Sequence, residues 1–202
     1  MTKIGHRVAR VVEIVTSSTL LLLFSPAFLA IAITIKLDSH GPIFFIQERV
    51  GLNGQLFRMY KFRSMVVDAE ERRDNLLASN ERSGPTFKMR RDPRVTQVGN
   101  FLRRYSIDEV PQLVNVVKGE MSLIGPRPAL PKEVQQYSEL HKRRLEVKPG
   151  LTGLWQVSGR ANLSFEQSIE LDLYYVENRS FALNARILLK TAAAVLSTEG
   201  AY

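Results

Sequence analysis

An uncharged segment interrupted by a proline constrains this chain more than any other feature. Residues 14 to 35, between Glu13 and Lys36, carry no charged side chain. A straight helix of this length would reach roughly 33 Å, enough to cross a hydrocarbon core of about 30 Å. Ser25 and Pro26 stand near its middle, and proline bends a helix because it lacks an N–H and clashes with the preceding turn. The segment therefore predicts a membrane helix that is bent at its centre.

The charges on both sides of this segment favour the same side of a membrane. Basic residues flank it at both ends: Lys3, Arg7 and Arg10 before it and Lys36 after it. Basic flanks prefer the cytoplasm, and a straight span cannot place both there. A re-entrant helix over residues 1 to 36, which bends at Ser25-Pro26 and returns, satisfies charge, length and kink together. The Ser25 hydroxyl can then bond a backbone carbonyl that the proline frees.

Two other interpretations of the same segment were weighed. A cleaved signal peptide would have a shorter apolar core and a small-residue cleavage site, which residues 31 to 41, IAITIKLDSHG, do not offer. An ordinary kinked span stays open, because proline is common in transmembrane helices.

The composition of the whole chain excludes several functional classes. Its 202 residues suit one domain with a real core. The absence of cysteine excludes disulfides, thiolate metal sites and a cysteine nucleophile. The histidines, His6, His40 and His141, show no zinc-ligand spacing. A net charge of +8 and a pI of about 9.9 predict an anionic partner: lipid, phosphorylated substrate or nucleic acid.

Residues 37 to 202 are predicted to form one α+β cytosolic domain. The stretches IFFIQERV and QLFRMYKFRSM, joined by residues 51 to 54, predict a β-hairpin. Helices are predicted at residues 66–79, around VGNFLRRY, at SIDEVPQLVNVV up to Gly119, from Pro131 to about Leu145, from Ser164 to about Glu177, and at residues 181–197. SGPTFKMRRDPRVT is predicted as a loop, and KPGLTGLWQVSGR as a short strand with turns. The last two helices either pack on the core or lie in a membrane interface.

Adjacent carboxylates are the best candidates for chemistry. Asp108 and Glu109 are predicted at a helix N-terminus, where the dipole stabilises anions. Neighbouring carboxylates can divide the roles of nucleophile and of metal ligand or base. A purely structural alternative exists, because Ser106 and Glu109 have capping-box spacing and Asp108 is a good N-cap.

Basic side chains accompany this pair. Arg103 lies just before it, and Arg127 stands between two prolines that fix its backbone. Lys61 and Arg63 are two apart on one face of a predicted strand. Guanidinium groups bind phosphates bidentately. Each cation alone could be surface charge, but together with the carboxylates and the membrane segment they predict phosphate chemistry at a bilayer. No recognisable nucleic-acid-binding fold is present.

Several motifs follow one another over almost the whole chain. They are Ser25-Pro26, YKFRSM, SIDEVPQL, KGEMSLIGPRP, KPGLTGLWQVSGR, LDLYYVEN and the terminal GAY. In order and spacing they resemble the bacterial sugar transferase family, the monotopic polyprenyl-phosphate phosphoglycosyltransferases. The chain is similar to the short members, which consist of the catalytic core.

The resemblance implies transfer of a sugar-1-phosphate from a UDP-sugar to undecaprenyl phosphate, with release of UMP. This step would start exopolysaccharide, capsule, O-antigen or related glycan assembly at the cytoplasmic face of the bacterial inner membrane. The resemblance makes Asp108 the nucleophile that carries a covalent phosphosugar, and associates Mg²⁺ with Glu109 and the adjacent Asp108. It implies a phosphate contact for Arg103, a nucleotide contact for Arg127 and a re-entrant break at Ser25-Pro26.

The substrate and the partners are less closely defined. GLWQVSGR looks more like the hexose-transferring members, so glucose or galactose is expected. Membrane lipid is an expected partner, nucleic acid is not, and a homodimer is left open. A non-catalytic scaffold on anionic lipid predicts no Mg²⁺-dependent UMP release. A soluble nucleic-acid binder predicts extraction without detergent.

Overall fold

The computed structural model describes residues 3–76, 80, 81, 87, 89, 91–159 and 163–197. Its elements in chain order are α1 (Lys3–Leu23), α2 (Ser25–Asp38), β1 (Phe44–Val50), β2 (Leu56–Phe62), α3 (Ala69–Asn75), α4 (Gln97–Arg104), α5 (Gln112–Lys118), β3 (Ser122–Ile124), α6 (Pro131–Val134), α7 (Glu139–Lys142), β4 (Gly150–Thr152), α8 (Phe165–Glu177) and α9 (Phe181–Ser197). Short 3₁₀ turns lie at Leu52–Gly54, Ile107–Glu109, Arg143–Glu146 and Trp155–Val157. The mixture of helices and small sheets is the α+β class predicted from the sequence.

The first two helices meet at the predicted break. α1 and α2 are bent by 61° relative to each other. Pro26, in the first turn of α2, has no N–H to offer the Leu22 carbonyl one turn earlier. The Ser25 hydroxyl donates to that carbonyl at 2.8 Å, so the predicted hydrogen bond to a freed carbonyl is present. Within the described residues, no single helix is long and apolar enough to cross a membrane, and the two helices meet that test only as a bent pair.

The first helix of the bent pair is held to the rest of the protein by hydrogen bonds from its side chains. In α1, Arg10 donates to the carbonyls of Val116 and Val117 at 2.6 and 2.9 Å, at the C-terminal end of α5. One turn later, Glu13 accepts hydrogen bonds from the Ser122 hydroxyl and the Leu123 N–H of β3. Arginine near a helix C-terminus satisfies carbonyls that have no partner within the helix. α1 is therefore joined to α5 and β3 by polar bonds as well as by packing.

The hairpin forms in the predicted place. β1 and β2 pair antiparallel, from Phe44 opposite Phe62 to Val50 opposite Leu56. Asn53, with φ of 52°, supplies a left-handed residue that tight turns require. On the inner face of β2, Phe57 and Met59 are buried against α5. This packing brings the end of β2 next to the turn that precedes α5.

A second, smaller sheet was only partly foreseen. β3 and β4 pair in parallel, with Ser122 opposite Gly150 and Ile124 opposite Thr152. The strand at β4 was predicted, but its partner β3 was not. The backbones approach so closely that a Cβ on Gly150 would lie 2.0 Å from the Gly125 nitrogen. The chain leaves this sheet directly into the segment that contains Arg127.

Three of the predicted helices have different bounds, and the one predicted at SIDEVPQLVNVV begins only at Gln112, as α5. The helix predicted from Pro131 to about Leu145 is wrong in extent, because α6 ends at Val134. Ser138 then starts a new helix by accepting the His141 N–H at 3.2 Å. The helix predicted over residues 66–79 is the shorter α3, and residues 77–79 lie outside the described part. Part of the SGPTFKMRRDPRVT loop and the terminal GAY also lie outside it.

The last two helices match their predicted bounds. Ser164 and Gln167 form the expected reciprocal capping box at 3.1 and 2.9 Å. Ile187 of α9 is fully buried in the core, whereas Leu189 and Leu196 on the same helix are 75% and 81% exposed. α9 therefore packs on the core with one side and leaves apolar side chains uncovered on another.

Candidate active site

The adjacent carboxylates lie in a strained turn between α4 and α5. Ser106 adopts a left-handed φ of 55°, and residues Ile107–Glu109 follow as one 3₁₀ turn. A left-handed serine costs roughly 1–2 kcal/mol, and such strain is concentrated at functional sites. The predicted capping box is wrong, because the Ser106 side chain makes no capping bond. Capping by Asp108 is also wrong, since α5 begins at Gln112 after Pro111.

Glu109 is bound by a lysine of the hairpin. Lys61, near the end of β2, places its Nζ 2.7 Å from Glu109 Oε1. Burial by itself would raise the pKa of Glu109, but the charge and hydrogen bond of Lys61, with Arg127 and Arg49, outweigh it and lower that pKa. Glu109 is therefore an anion at neutral pH. The structure brings together these residues from distant parts of the chain, as their joint assignment to one site requires.

Asp108 has a different environment from its neighbour. It is buried, and burial raises the pKa of its carboxyl to about 6, even though Lys61 and Arg103 act in the opposite direction. The charge of Glu109 adds to the increase. Two neighbouring carboxylates with pKa values moved in opposite directions are typical of an active site in which the groups have separate roles. A poorly solvated carboxylate is also a more reactive nucleophile.

Arg127 and Arg103 lie on the same cavity as the carboxylates. Arg127 Nη1 is 3.3 Å from Glu133 Oε2, and Glu133 is almost fully buried. The Arg127 side chain remains 31% exposed, so its guanidinium can still reach a ligand. Arg103, in the last turn of α4, is close enough to lower the pKa of both Asp108 and Asp92.

Arg63 has a different set of contacts from the one expected of a phosphate ligand. Its two terminal nitrogens donate to backbone carbonyls at the end of α2, those of Ser39 at 2.7 Å and of His40. Arg63 lines the same cavity, but these donors are already in use. Phosphate binding by Arg63 would require breaking the bonds that hold the second arm of the bent pair, and its assignment as a phosphate ligand stays a prediction.

One cavity of about 940 Å³ joins the charged groups to an apolar surface. The charged residues on its wall include Asp108, Glu109, Lys61, Arg103 and Arg127. Its apolar lining includes Val12 and Leu20 of α1, Phe24 between α1 and α2, and Leu188 and Val195 of α9. A cavity lined by cations and carboxylates as well as by aliphatic side chains suits a ligand with a phosphate head and a hydrocarbon tail.

The carboxylates can contribute to a Mg²⁺ site, but cannot complete one. In the described part of the chain, no group of three or more acidic or histidine side chains is arranged to hold a metal ion. Mg²⁺ is commonly bound by one or two carboxylates and completes its octahedron with water and substrate phosphates. Asp108 and Glu109 fit that pattern, because they are adjacent and open to the cavity. Such a site would be completed by a phosphorylated substrate.

Four residues that matter at this site were missed from the sequence. They are Arg49, Glu133, Arg144 and Asp172, all less than 10% exposed. Arg49 falls within the predicted hairpin stretch IFFIQERV and Arg144 within the helix predicted from Pro131 to about Leu145, and neither was assigned a role. The prolines on either side of Arg127 were the one signal in the sequence that pointed to these residues. A backbone segment poor in N–H groups still needs hydrogen-bond donors for its carbonyls.

Known proteins resemble this chain over most of its length. The pattern of the family described as bacterial sugar transferase matches residues 4–198. The galactosyl transferase CpsE of Streptococcus agalactiae serotype III is 49% identical over 162 residues, which are 80% of this chain and 36% of CpsE. The undecaprenyl-phosphate galactose phosphotransferase of Salmonella typhimurium is 42% identical over 197 residues, 96% of this chain and 41% of that protein.

A shorter relative is matched over nearly its full length. The exopolysaccharide production protein ExoY of Rhizobium meliloti is 40% identical over 203 residues, which are 98% of this chain and 90% of ExoY. In contrast, this chain spans less than half of CpsE and of the Salmonella protein, at 36% and 41%. The family pattern nevertheless covers the chain almost from end to end. The chain belongs to the bacterial sugar transferase family.

Proposed function

We propose that this chain transfers a sugar-1-phosphate from a UDP-sugar to undecaprenyl phosphate and releases UMP, through a covalent phosphosugar on Asp108. One observation carries the proposal. The carboxylate pair, with pKa values shifted in opposite directions, faces a cavity that holds Lys61, Arg103 and Arg127 and also reaches the apolar faces of α1 and α9. The cations suit the phosphates of a nucleoside diphosphate and of a lipid phosphate, and the apolar lining suits the hydrocarbon chain of the lipid.

In the first step, a carboxylate oxygen of Asp108 attacks the β-phosphorus of the UDP-sugar. A bond forms between Asp108 and that phosphorus, and the bond from the phosphorus to the oxygen bridging the two phosphates breaks. UMP leaves with the electron pair, and the sugar phosphate stays on Asp108 as an acyl phosphate. Lys61, Arg103 and Arg127 can stabilise charge on the phosphate oxygens as the bridging bond lengthens.

In the second step, an oxygen of the lipid phosphate attacks the same phosphorus. The bond to Asp108 breaks, and its electron pair restores the carboxylate. The product is a polyprenyl diphosphate-sugar, and the enzyme returns to its starting state. Because each step exchanges one oxygen substituent on phosphorus for another, no oxidant, reductant or additional proton donor is required.

Glu109 and Asp108 are the residues that would hold Mg²⁺. The ion would supply positive charge at the diphosphate and so reduce its repulsion of the attacking carboxylate. Glu109 is suited to this task because it is already ionised beside Lys61. The nucleophile and the ligand can therefore carry different duties although they are neighbours in the chain.

The sugar proposed is a hexose, glucose or galactose. The motif GLWQVSGR favours these over N-acetylated sugars. The names of relatives agree, since the Salmonella protein is named for galactose and a relative from Escherichia coli, 36% identical, is named for UDP-glucose. By the same analogy, the pathway would be exopolysaccharide or a related surface glycan.

The proposed location is the bacterial inner membrane, with α1 and α2 re-entering one leaflet and the domain on the cytoplasmic face. The hydrogen bonds that hold both helices to the domain support this topology. Arg10 ties the first arm to α5, and Arg63, just after β2, ties the end of the second arm. A true span would put those two ends on opposite sides of the bilayer. The exposed Leu189 and Leu196 of α9 are suited to the interface beside it.

A panel assay tests the function. The full chain in detergent, with Mg²⁺ and undecaprenyl phosphate, is incubated with UDP-glucose, UDP-galactose, UDP-N-acetylglucosamine or UDP-N-acetylgalactosamine, and UMP release is measured. We expect release from one or both hexose donors and formation of a lipid-linked sugar. No release from any donor in a folded protein would contradict the proposal and favour the non-catalytic scaffold.

A further inference from the structure

The backbone that carries Arg127 has few N–H groups through which it can be held, so its carbonyl groups are the main points of attachment. Pro126 and Pro128 flank this residue, and neither proline has an N–H to donate. Prolines restrict φ, but they do not fix where the segment sits relative to the rest of the site. The position of the Arg127 guanidinium therefore depends on what binds the carbonyl oxygens of residues 126 to 129.

All four of these carbonyls accept a hydrogen bond. Two of the donors are backbone groups of the sheets: Gly150 N–H reaches Pro126 O at 2.8 Å and Val50 N–H reaches Ala129 O at 2.9 Å. The two between them are bonded by arginine side chains. Arg144 Nη2 donates to Arg127 O at 3.1 Å, and Arg49 Nη1 donates to Pro128 O at 2.9 Å. Each arginine comes from a different part of the fold.

Both arginines are buried, and burying a charge is costly. Arg144 is 5% exposed, and an ion pair with Asp172 compensates its charge. The Tyr137 hydroxyl accepts a hydrogen bond from Arg144 Nη1 at 2.7 Å. Arg49 is 7% exposed, and its other terminal nitrogen donates to the Gln47 side chain. Burial, together with the charge of Arg127, lowers the pKa of Arg49 to about 9.

The cost indicates a role beyond packing. Well-packed apolar residues in place of a buried ion pair are often neutral or stabilising. A hydrophobic side chain could fill either position, but it could not donate to a carbonyl. What the two arginines add is the location of the segment between them.

We propose that Arg49 and Arg144 are positioning residues for Arg127, which hold its backbone from two sides so that its guanidinium is pre-organised for the diphosphate of the donor. This inference rests on the proposed function, because it assumes that Arg127 binds the nucleotide donor. Glu133 completes the arrangement by holding the guanidinium itself. Neither positioning residue needs to touch the substrate.

A double-mutant cycle tests the proposal by activity. Arg49→Met keeps apolar bulk and loses the bond to Pro128. We expect it to raise the KM for the UDP-sugar and to reduce kcat/KM between about 10- and 100-fold. Arg127→Ala should cause a loss of similar size. Because Arg49 acts through Arg127, the double variant should be no worse than Arg127→Ala alone. Arg49→Lys, which restores a donor, should recover part of the activity.

A matched control separates positioning from stability. Arg10 also donates to backbone carbonyls, but those of Val116 and Val117 at the end of α5. Arg10→Met should lower the thermal midpoint while leaving the donor KM within about twofold of the wild type. The proposal is wrong if the losses of Arg49→Met and Arg127→Ala add up, or if a folded Arg49→Met has the donor KM of the wild type.

A second measurement does not depend on activity. The chain has no cysteine, so Arg127→Cys can carry a single nitroxide spin label. Its electron paramagnetic resonance spectrum should show an immobilised label in the otherwise wild-type chain and a mobile one when Arg49→Met or Arg144→Met is added. Arg10→Met should leave it immobilised. An unchanged spectrum in both arginine variants would overturn positioning, whereas a mobilised label there, with a wild-type chain inactive on every UDP-sugar, would refute only the proposed function.

Discussion

Lys61 Nζ lies 2.7 Å from Glu109 Oε1, and this bond connects the hairpin to the carboxylate pair. The lysine lowers the pKa of Glu109 and also that of Asp108. One cation therefore acts to lower the pKa values of both carboxyls, whereas burial acts to raise both. Its removal is expected to change the chemistry of the site more than the stability of the fold, because the pair is partly exposed and such pairs contribute little to stability.

Replacing this lysine should shift the acid limb of the activity profile. In Lys61→Met, both carboxyls lose a positive neighbour, so their pKa values should rise and more protons should be bound at pH 7. We expect kcat/KM at pH 7 to fall between about 10- and 100-fold, with partial recovery at higher pH. Lys118→Met is the control, since Lys118 donates at 2.9 Å to the Tyr60 hydroxyl, outside the carboxylate pair. Equal profiles for the two variants would contradict the assignment of Lys61.

The pKa of Asp108 sets an expected pH dependence for the wild type. A nucleophilic carboxylate must be ionised, and burial raises its pKa to about 6. Activity should therefore rise as pH increases through about 6 and fall below it. A profile of kcat/KM between pH 5 and 8, measured with a saturating concentration of the lipid, checks this. An acid limb centred near pH 4 would contradict the raised pKa of Asp108.

Asp108→Asn should remove activity and increase stability. A neutral amide is a poor nucleophile, so turnover should fall by orders of magnitude. Because the raised pKa means that the folded state disfavours the ionised form, the favourable contribution of this group is present below pH 3.8 and is lost as pH rises through about 6. Above pH 6 the variant should therefore be more stable than the wild type, by about 3 kcal/mol at most.

A labelling experiment distinguishes this role from a structural one. The wild-type chain, incubated with Mg²⁺ and radiolabelled UDP-sugar but no lipid, should acquire label that survives denaturation and is released by hydroxylamine. Asp108→Asn should acquire none. A folded Asp108→Asn chain that still becomes labelled would falsify the covalent assignment, and the nucleophile would have to be sought among other residues.

The bend between α1 and α2 predicts a topology. Single cysteines at Lys3 and Ser39 should both be shielded from an impermeant thiol reagent in intact cells, as should one at the exposed Glu139 of the domain. Strong labelling at only one of the first two would indicate a true span. Replacing Ser25 and Pro26 by alanine restores an N–H for the Leu22 carbonyl, so it should straighten the helix and make the cysteine at Lys3 accessible from outside.

Local signals predicted much of the fold. The Ser164 capping box, the glycine that ends α5 and the turn of the hairpin each depend on a few neighbouring residues, and each is present in the structure. The helix predicted from Pro131 failed because Ser138 could cap a new helix within it. Propensity cannot determine whether a chain continues one helix or begins another, since the buried Tyr137 between them makes its contacts with distant residues.

The candidate site was also predicted only in part, because some of its residues depend on contacts with distant parts of the chain. Lys61, Arg103, Asp108, Glu109 and Arg127 were found from motifs, and the structure places them on one cavity. The buried Arg49 and Arg144 were missed because their partners are backbone carbonyls 79 and 17 residues away. A carbonyl leaves no trace in the sequence, so arginines that bind one cannot be told from surface arginines. The contacts of Arg63 could not be predicted for the same reason, because it also binds backbone carbonyls.

The fastening of α1 has a practical consequence for work on this protein. Arg10 supplies donors to the last turn of α5, and Glu13 binds the Ser122 hydroxyl and the Leu123 amide. Trimming the first forty residues to obtain a water-soluble catalytic fragment would remove these hydrogen bonds and expose the side of α5 that packs against α1. A fragment of that kind should aggregate. Crystallisation, inhibitor screening and binding measurements are therefore best designed from the start around micelles, bicelles or nanodiscs.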